Sequence, residues 1–245
     1  QRGLTMLSSA SRYSPVSLGK GRANTSPVPP FDPLWSYVDF CANFQGPNGS
    51  TDFVDAKGHT INSVGTPEIS TSSFPAGALS LNGASYLTVG GLVAWGTDDF
   101  TIEGFFAQTA PATSDPGIWQ VSTVSGGLQP GYADSVCLIN LSIPRWAALS
   151  NVSAAIGGAE PINSMVHVAV ERAAGIITLY VEGAYRADML MADALTGTNL
   201  VIGGYYSPAY LMQGECLGFR ITTGVARYGG DFTPPTSPFP TEGPP

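Results

Sequence analysis

Charge is scarce in this chain, and so are the residues that usually carry chemistry. Only 11% of its 245 residues are Asp, Glu, Lys or Arg. Few charges suit a surface that lies against neighbours, although Ser, Thr and Asn can also solvate a free one. The two histidines, His59 and His167, come without any Cys-x-x-Cys spacing, so no zinc site is expected. Three cysteines, Cys41, Cys137 and Cys216, are odd in number and do not describe a disulfide framework. They read as free thiols made in a reducing cytoplasm. No Gly-x-Ser-x-Gly elbow and no phosphate-binding Gly-Lys-Ser/Thr loop occurs. No apolar run approaches the roughly 20 residues that a membrane helix needs, so no membrane partner is expected. The first residues also lack the apolar core of a signal peptide.

What the chain has in quantity is 30 Gly, 20 Pro and 10% aromatics, with many Ser, Thr, Val and Ile. That mixture favours strands separated by turns over helices. The net charge of −8 is unevenly spread. Residues 1–31 hold Arg2, Arg12, Lys20 and Arg22 and no acid, which leaves 6 basic and 18 acidic residues for the rest. An acidic body repels phosphates and argues against nucleic acid as a partner.

Residues 1–33 read as an extended basic arm, with Ser26-Pro27-Val28-Pro29-Pro30 favouring a stretched chain that builds no core. From Trp35 the pattern changes. Val38, Phe40, Ala42 and Phe44 alternate with Asp39, Cys41 and Asn43, the period-two signature of a half-buried strand. Gly46-Pro47-Asn48-Gly49 then makes a turn. Further strands are expected at 79–81, 86–89, 100–107, 118–121, 136–141 and 146–149. A hairpin is expected with Val166, Val168 and Val170 on one face, a turn at Ala173-Ala174-Gly175, and a return at 176–181. Glu182-Gly183 supplies the next turn, followed by strands at 200–203 and around Leu217, Phe219 and Ile221. About a dozen strands with no helix between them predict an all-β, two-sheet antiparallel jelly-roll sandwich over 34–240, with 241–245 as a tail.

Four segments carry a resemblance. These are Asn48-Gly49-Ser50-Thr51-Asp52-Phe53-Val54-Asp55 and Asp99-Phe100-Thr101-Ile102-Glu103-Gly104-Phe105-Phe106. The third joins Val166-His167-Val168-Ala169-Val170-Glu171-Arg172 to Leu179-Tyr180-Val181-Glu182-Gly183. The last is Phe219-Arg220-Ile221-Thr222-Thr223-Gly224-Val225-Ala226-Arg227-Tyr228, running into Asp231-Phe232-Thr233-Pro234-Pro235. Together they resemble the concanavalin A-like, laminin-G-like domains of bacteriophage tail, fibre and other virion proteins. Met165 stands where the family usually has Trp, and Glu182-Gly183 where it has Asp-Gly.

The resemblance implies a virion structural protein, a decoration, cement or fibre component made in the host cytoplasm. Its arm, through Arg2, Arg12, Lys20 and Arg22, would dock on other capsid or tail proteins in a homo-oligomer or symmetric array. It also implies that Cys41 and Cys216 are neighbours without a disulfide. An alternative is a host-attachment adhesin that binds cell-surface carbohydrate. Tyr205, Tyr206 and Tyr210 are then the best candidate platform, equally suited to an interface, with Trp95 and Tyr132 as outliers. Glycosidases of this fold class carry Glu-x-Asp-x-(x)-Glu on one strand, and every Glu here fails at its second following residue, so no enzyme is expected. No cofactor is expected, with calcium the open possibility through Asp52 and Asp55 or Asp98 and Asp99, residues that equally suit turns. His167, between two valines, reads as structural and His59 as an exposed turn residue.

Overall fold

The computed structural model describes residues 31–245 apart from 110–114, 131–133, 142–144, 151–153, 160–162 and 237. Its strands, in chain order, are β1 (Val38–Asn43), β2 (Ile61–Val64), β3 (Glu68–Ser70), β4 (Ala78–Asn82) and β5 (Tyr86–Gly90). Then come β6 (Phe100–Gln108), β7 (Gly117–Ser122), β8 (Val136–Leu141), β9 (Arg145–Ser150) and β10 (Ala154–Ala159). The chain finishes with β11 (Val166–Ala173), β12 (Ile176–Val181), β13 (Ala184–Leu190), β14 (Asn199–Ile202) and β15 (Gln213–Thr223). Two single 3-10 turns, at Trp35–Tyr37 and Pro208–Tyr210, are the helical elements among the described residues.

The strands form two antiparallel sheets. One has eight strands in the order β13-β12-β11-β6-β15-β4-β3, with β1 also on β15, and the other has seven in the order β10-β9-β8-β7-β14-β5-β2. The 11-residue β15 is long enough to hold two partners on one edge. β4 pairs with Gln213–Cys216 and β1 with Gly218–Thr222. A bulge between Cys216 and Gly218 separates the two registers.

Period-two alternation decides which side chains meet between the sheets. On β6, Phe100, Ile102 and Phe106 face inward, and on β11 Val166, Val168 and Val170 do the same. They join Phe40, Leu79, Trp119, Leu138, Leu200 and Phe219 in one continuous core. Each such side chain contributes about 1.5–3 kcal/mol by leaving water. The opposite faces of the same strands carry Glu103, His167, Glu171 and Arg220, and these too are buried. Something therefore covers the outer face of the eight-stranded sheet.

The sandwich expected from sequence is present, and the β11–β12 hairpin turns where composition predicted, with Ala174 and Gly175 at φ 49° and 79°. Some expectations are corrected. Residues 50–55, within the first family-like segment, are irregular, and Asp55 there accepts a hydrogen bond from Cys41 N. The short β2 and β3, the Gly/Ala-rich β10 and the polar β13 gave no clear alternation and were missed. Cys41 and Cys216 are not neighbours. Cys41 stands opposite Arg220 and faces outward, whereas Cys216 stands opposite Leu79 and faces the core. All three cysteines are free thiols. Among the described residues no helix is long and apolar enough to cross a membrane.

The Glu182-Gly183 turn also locks the C-terminal segment. Gly183 has φ 73°, and a Cβ there would meet the Phe232 carbonyl oxygen at 1.9 Å. Gly183→Ala should cost more than the about 1–2 kcal/mol of its left-handed backbone alone, measured as a drop in denaturation midpoint.

Candidate functional site

The cover over the eight-stranded sheet is the C-terminal segment together with the first described residues, and a buried carboxylate organises it. Glu103, in the middle of β6, is fully buried. Its Oε1 accepts from Arg220 Nε at 3.0 Å and Nη2 at 2.7 Å. Its Oε2 accepts from the Tyr228 hydroxyl at 2.6 Å and lies 2.9 Å from His167 Nε2. Arg220 continues the chain of charges by donating to Asp32 at 2.8 Å, and Arg227 grips the same carboxylate with both terminal nitrogens. Glu171 adds a second anchor, accepting from the backbone N–H groups of Tyr228 and Gly229. The Tyr228 ring stacks on Phe232 at 3.5 Å, and Asn43 exchanges two hydrogen bonds with the Phe239 backbone.

Burial alone would raise the Glu103 carboxyl, but the Arg220 guanidinium and the contact with His167 outweigh it and hold it well below the glutamate range. Asp32 behaves likewise: burial opposes ionisation, and Arg227 and Arg220 overcome it. Burial and the Glu103 carboxylate push the Tyr228 phenol upward. With both oxygens of Glu103 committed to donors, the group acts as a clamp and offers no free lone pair to a substrate. Nothing local in the sequence announces this network. Arg220 and Tyr228 stand 117 and 125 residues from Glu103, and Asp32 stands 188 from Arg220.

The other sheet presents a different outer face. Cys137, Ile139 and Ala147 point outward there and pack with Tyr205. Gly117 leaves the notch that Tyr205 fills, since a Cβ would meet its ring at 2.5 Å. Tyr206 follows with φ 61°, an uncommon conformation for a bulky residue, and its N–H donates to Gln120 Oε1 at 3.3 Å. Gln120 also holds Gln129 through backbone bonds, so the 123–129 loop folds over this face beside the tyrosines. Tyr210 completes the group, with ring centroids 5.4 Å from Tyr205 and 5.7 Å from Tyr206. Tyr205 is only 4% exposed, whereas Tyr206 is 39% exposed. The three predicted tyrosines are thus brought together, one as foundation and one as exposed ring.

The remaining predicted residues divide. Trp95 is a core residue, 4.4 Å from the Phe100 ring, because the Arg172 guanidinium draws the Gly96 and Asp98 carbonyls inward. Asp99 accepts from Ala174 N, stitching the hairpin turn to β6. Asp55 accepts from Cys41 N at 2.7 Å and from His59 N at 3.0 Å. His59 is therefore half-buried between Asp55 and Asp39 rather than an exposed turn residue. Asp52 is exposed. Among the described residues no group of three or more His, Cys, Asp or Glu side chains gathers. Arg2, Arg12, Lys20, Arg22 and Tyr132 lie outside the described residues.

The depressed Glu103 and Asp32 carboxyls fix a sign for pH dependence. Their contribution is present above the ordinary glutamate value of 4.5 and is lost as the pH falls toward their folded values. Thermal melts should therefore lose stability progressively below about pH 4.5. Glu103→Gln should lose about 3–5 kcal/mol at neutral pH by leaving Arg220 buried and undercompensated, and should flatten that acid limb. An unchanged melt would show that the network is incidental.

No protein-family model and no curated protein sequence matches the chain. Solved structures do. Domain 4 of a GH43 extracellular arabinanase from Geobacillus stearothermophilus, solved in complex with arabinotriose, matches at TM-score 0.56 and 15% identity, covering 78% of this chain and 95% of that one. The binding domain of Paraclostridial Mosquitocidal Protein 1 matches at 0.61 and 11%, covering 80% and 51%. The botulinum neurotoxin serotype D binding domain matches at 0.58 and 10%, covering 78% and 49%. The chain spans about half the length of these toxin domains. At such identities the likeness is one of fold: the chain is a β-sandwich like these structures.

Proposed function

We propose that this chain is a non-catalytic recognition domain of a bacteriophage particle. In this reading the outer face of the seven-stranded sheet binds cell-surface carbohydrate, and the basic arm attaches the domain to other virion proteins. The observation that carries the binding half is Tyr206. Its ring stands 39% exposed beside Tyr210, on a backbone held at positive φ and braced by the buried Gln120 and Tyr205. A flat apolar ring with a polar tip, on a rigid support, suits sugar stacking. Two fold neighbours support the same reading, one described as a binding domain and the other an arabinanase domain solved in complex with arabinotriose. The lack of a catalytic role is supported by Glu103 and Glu171, whose oxygens are committed to internal donors.

The particle-borne half rests on the sequence resemblance to phage virion proteins. The Asp32 backbone N–H donates to the Glu242 carbonyl at 2.8 Å, so the described chain begins beside the C-terminal tail, over the eight-stranded sheet. Attachment and recognition then use opposite sheets, and a docked arm leaves the tyrosines outward. Assembly into a symmetric array of copies fits the scarcity of surface charge.

Two measurements test these halves separately. On a glycan array the full chain should bind a defined set of sugars, and Tyr206→Ala should weaken binding about tenfold with an unchanged melt. Equal binding by the variant would remove the tyrosines from the site. Deleting residues 1–30, which keeps the buried Asp32, should abolish incorporation into particles, and normal incorporation would refute the strap.

A further inference from the structure

Where the first described residues meet the C-terminal segment, they line an open cavity of about 330 Å³. Its apolar walls come from Phe31, Pro33, Tyr228, Pro235 and Pro240, and Arg220 and Arg227 also line it. We propose that this cavity binds the proline-rich stretch Pro27–Pro30 of a second copy of the chain, so that two copies exchange arms.

The hydrogen-bond inventory of the cavity selects the ligand. A guanidinium has five N–H donors. Arg220 commits Nε and one N–H on each terminal nitrogen to Glu103 and Asp32. Arg227 commits Nε to Thr222 and one N–H on each terminal nitrogen to Asp32. Each therefore keeps two N–H groups without an acceptor among the described residues. Asp32, the one carboxylate among the lining residues, already takes three guanidinium N–H groups and the Leu34 backbone N–H. Nor is there net charge to draw an anion, because Asp32 and Glu103 balance the two guanidiniums.

A fitting ligand is thus neutral, apolar in bulk and rich in acceptors. Proline in an extended chain has these properties: a ring to pack on Tyr228 and Pro235, and carbonyls free of internal hydrogen bonds. The chain carries such a stretch in Ser26-Pro27-Val28-Pro29-Pro30, and it ends at Phe31 on the cavity wall. Three prolines in four residues restrict the backbone and oppose a reversal onto the same body. A two-fold pair lets each arm reach the other's cavity at once.

Thr233 also lines the cavity and is exposed, so Thr233→Trp blocks the cavity without touching the charge network. By sedimentation velocity the full chain should be a dimer. Thr233→Trp and the triple variant P27A/P29A/P30A should each weaken association at least about tenfold. Mixing the two should restore a weaker heterodimer, because one intact arm then meets one intact cavity. A synthetic peptide of residues 20–30 should dissociate the unmodified dimer, and a scrambled peptide should not, which tests the same contact without any variant. A monomeric full chain, variants that remain dimeric, or a mixture that fails to associate would each overturn arm exchange. Thr233→Trp should keep its glycan-array profile, so failure here and failure of carbohydrate binding are separate results.

Discussion

A carboxylate removed from water must be met by donors on all sides, and the outer face of the eight-stranded sheet is arranged around that requirement at Glu103. Two donors come from the neighbouring strands, as Arg220 and His167, and one from the overlying segment, as Tyr228. Arg220 then needs a second anion, which is Asp32, and Asp32 recruits Arg227. The polar face of an otherwise ordinary sheet thereby becomes the floor of a third layer, and both ends of the described chain are fastened to it. An apolar floor would hold the same segments with less specificity of position, because hydrophobic contacts tolerate sliding and a bidentate guanidinium pair does not.

The two outer faces have different physical characters, and that difference organises the functional reading. One is closed by charge pairs and stacked rings. The other is built from Cys137, Ile139, Ala147 and Tyr205, with Tyr206 standing out from it. Recognition by an exposed ring needs a rigid support, and a fully buried tyrosine beneath a partly exposed one provides it without mobile charge.

Much of the sandwich was legible because alternation is a local property. Phe40, Phe100, Val168 and Phe219 declare an inward face within a few residues of themselves. The tyrosine group was legible for the same reason, as its members fall within six positions. Glu103 was visible only as a polar residue within a family-like strand, since its partners arrive from β11, β15 and the tail, and pairing over 64 to 125 residues leaves no periodic trace. Trp95 and His59 were misjudged because their settings depend on distant groups, Arg172 drawing the 96–98 carbonyls inward and Asp55 capturing an imidazole. The polar β13 was missed because it is an edge strand with little buried surface to mark it.

The last strand in the sequence is a central strand of its sheet. β15 sits between β6 on one side and β4 with β1 on the other, so none of those three can complete its hydrogen bonding until residue 223 has been synthesised. The seven-stranded sheet is closed by β14 and ends earlier, at Ile202. Until β15 is made the eight-stranded sheet is in three unjoined parts, β13-β12-β11-β6, β4-β3 and β1, and a truncation anywhere before β15 leaves their edges exposed. Folding of this domain is governed by long-range closure rather than by growth from the N-terminus.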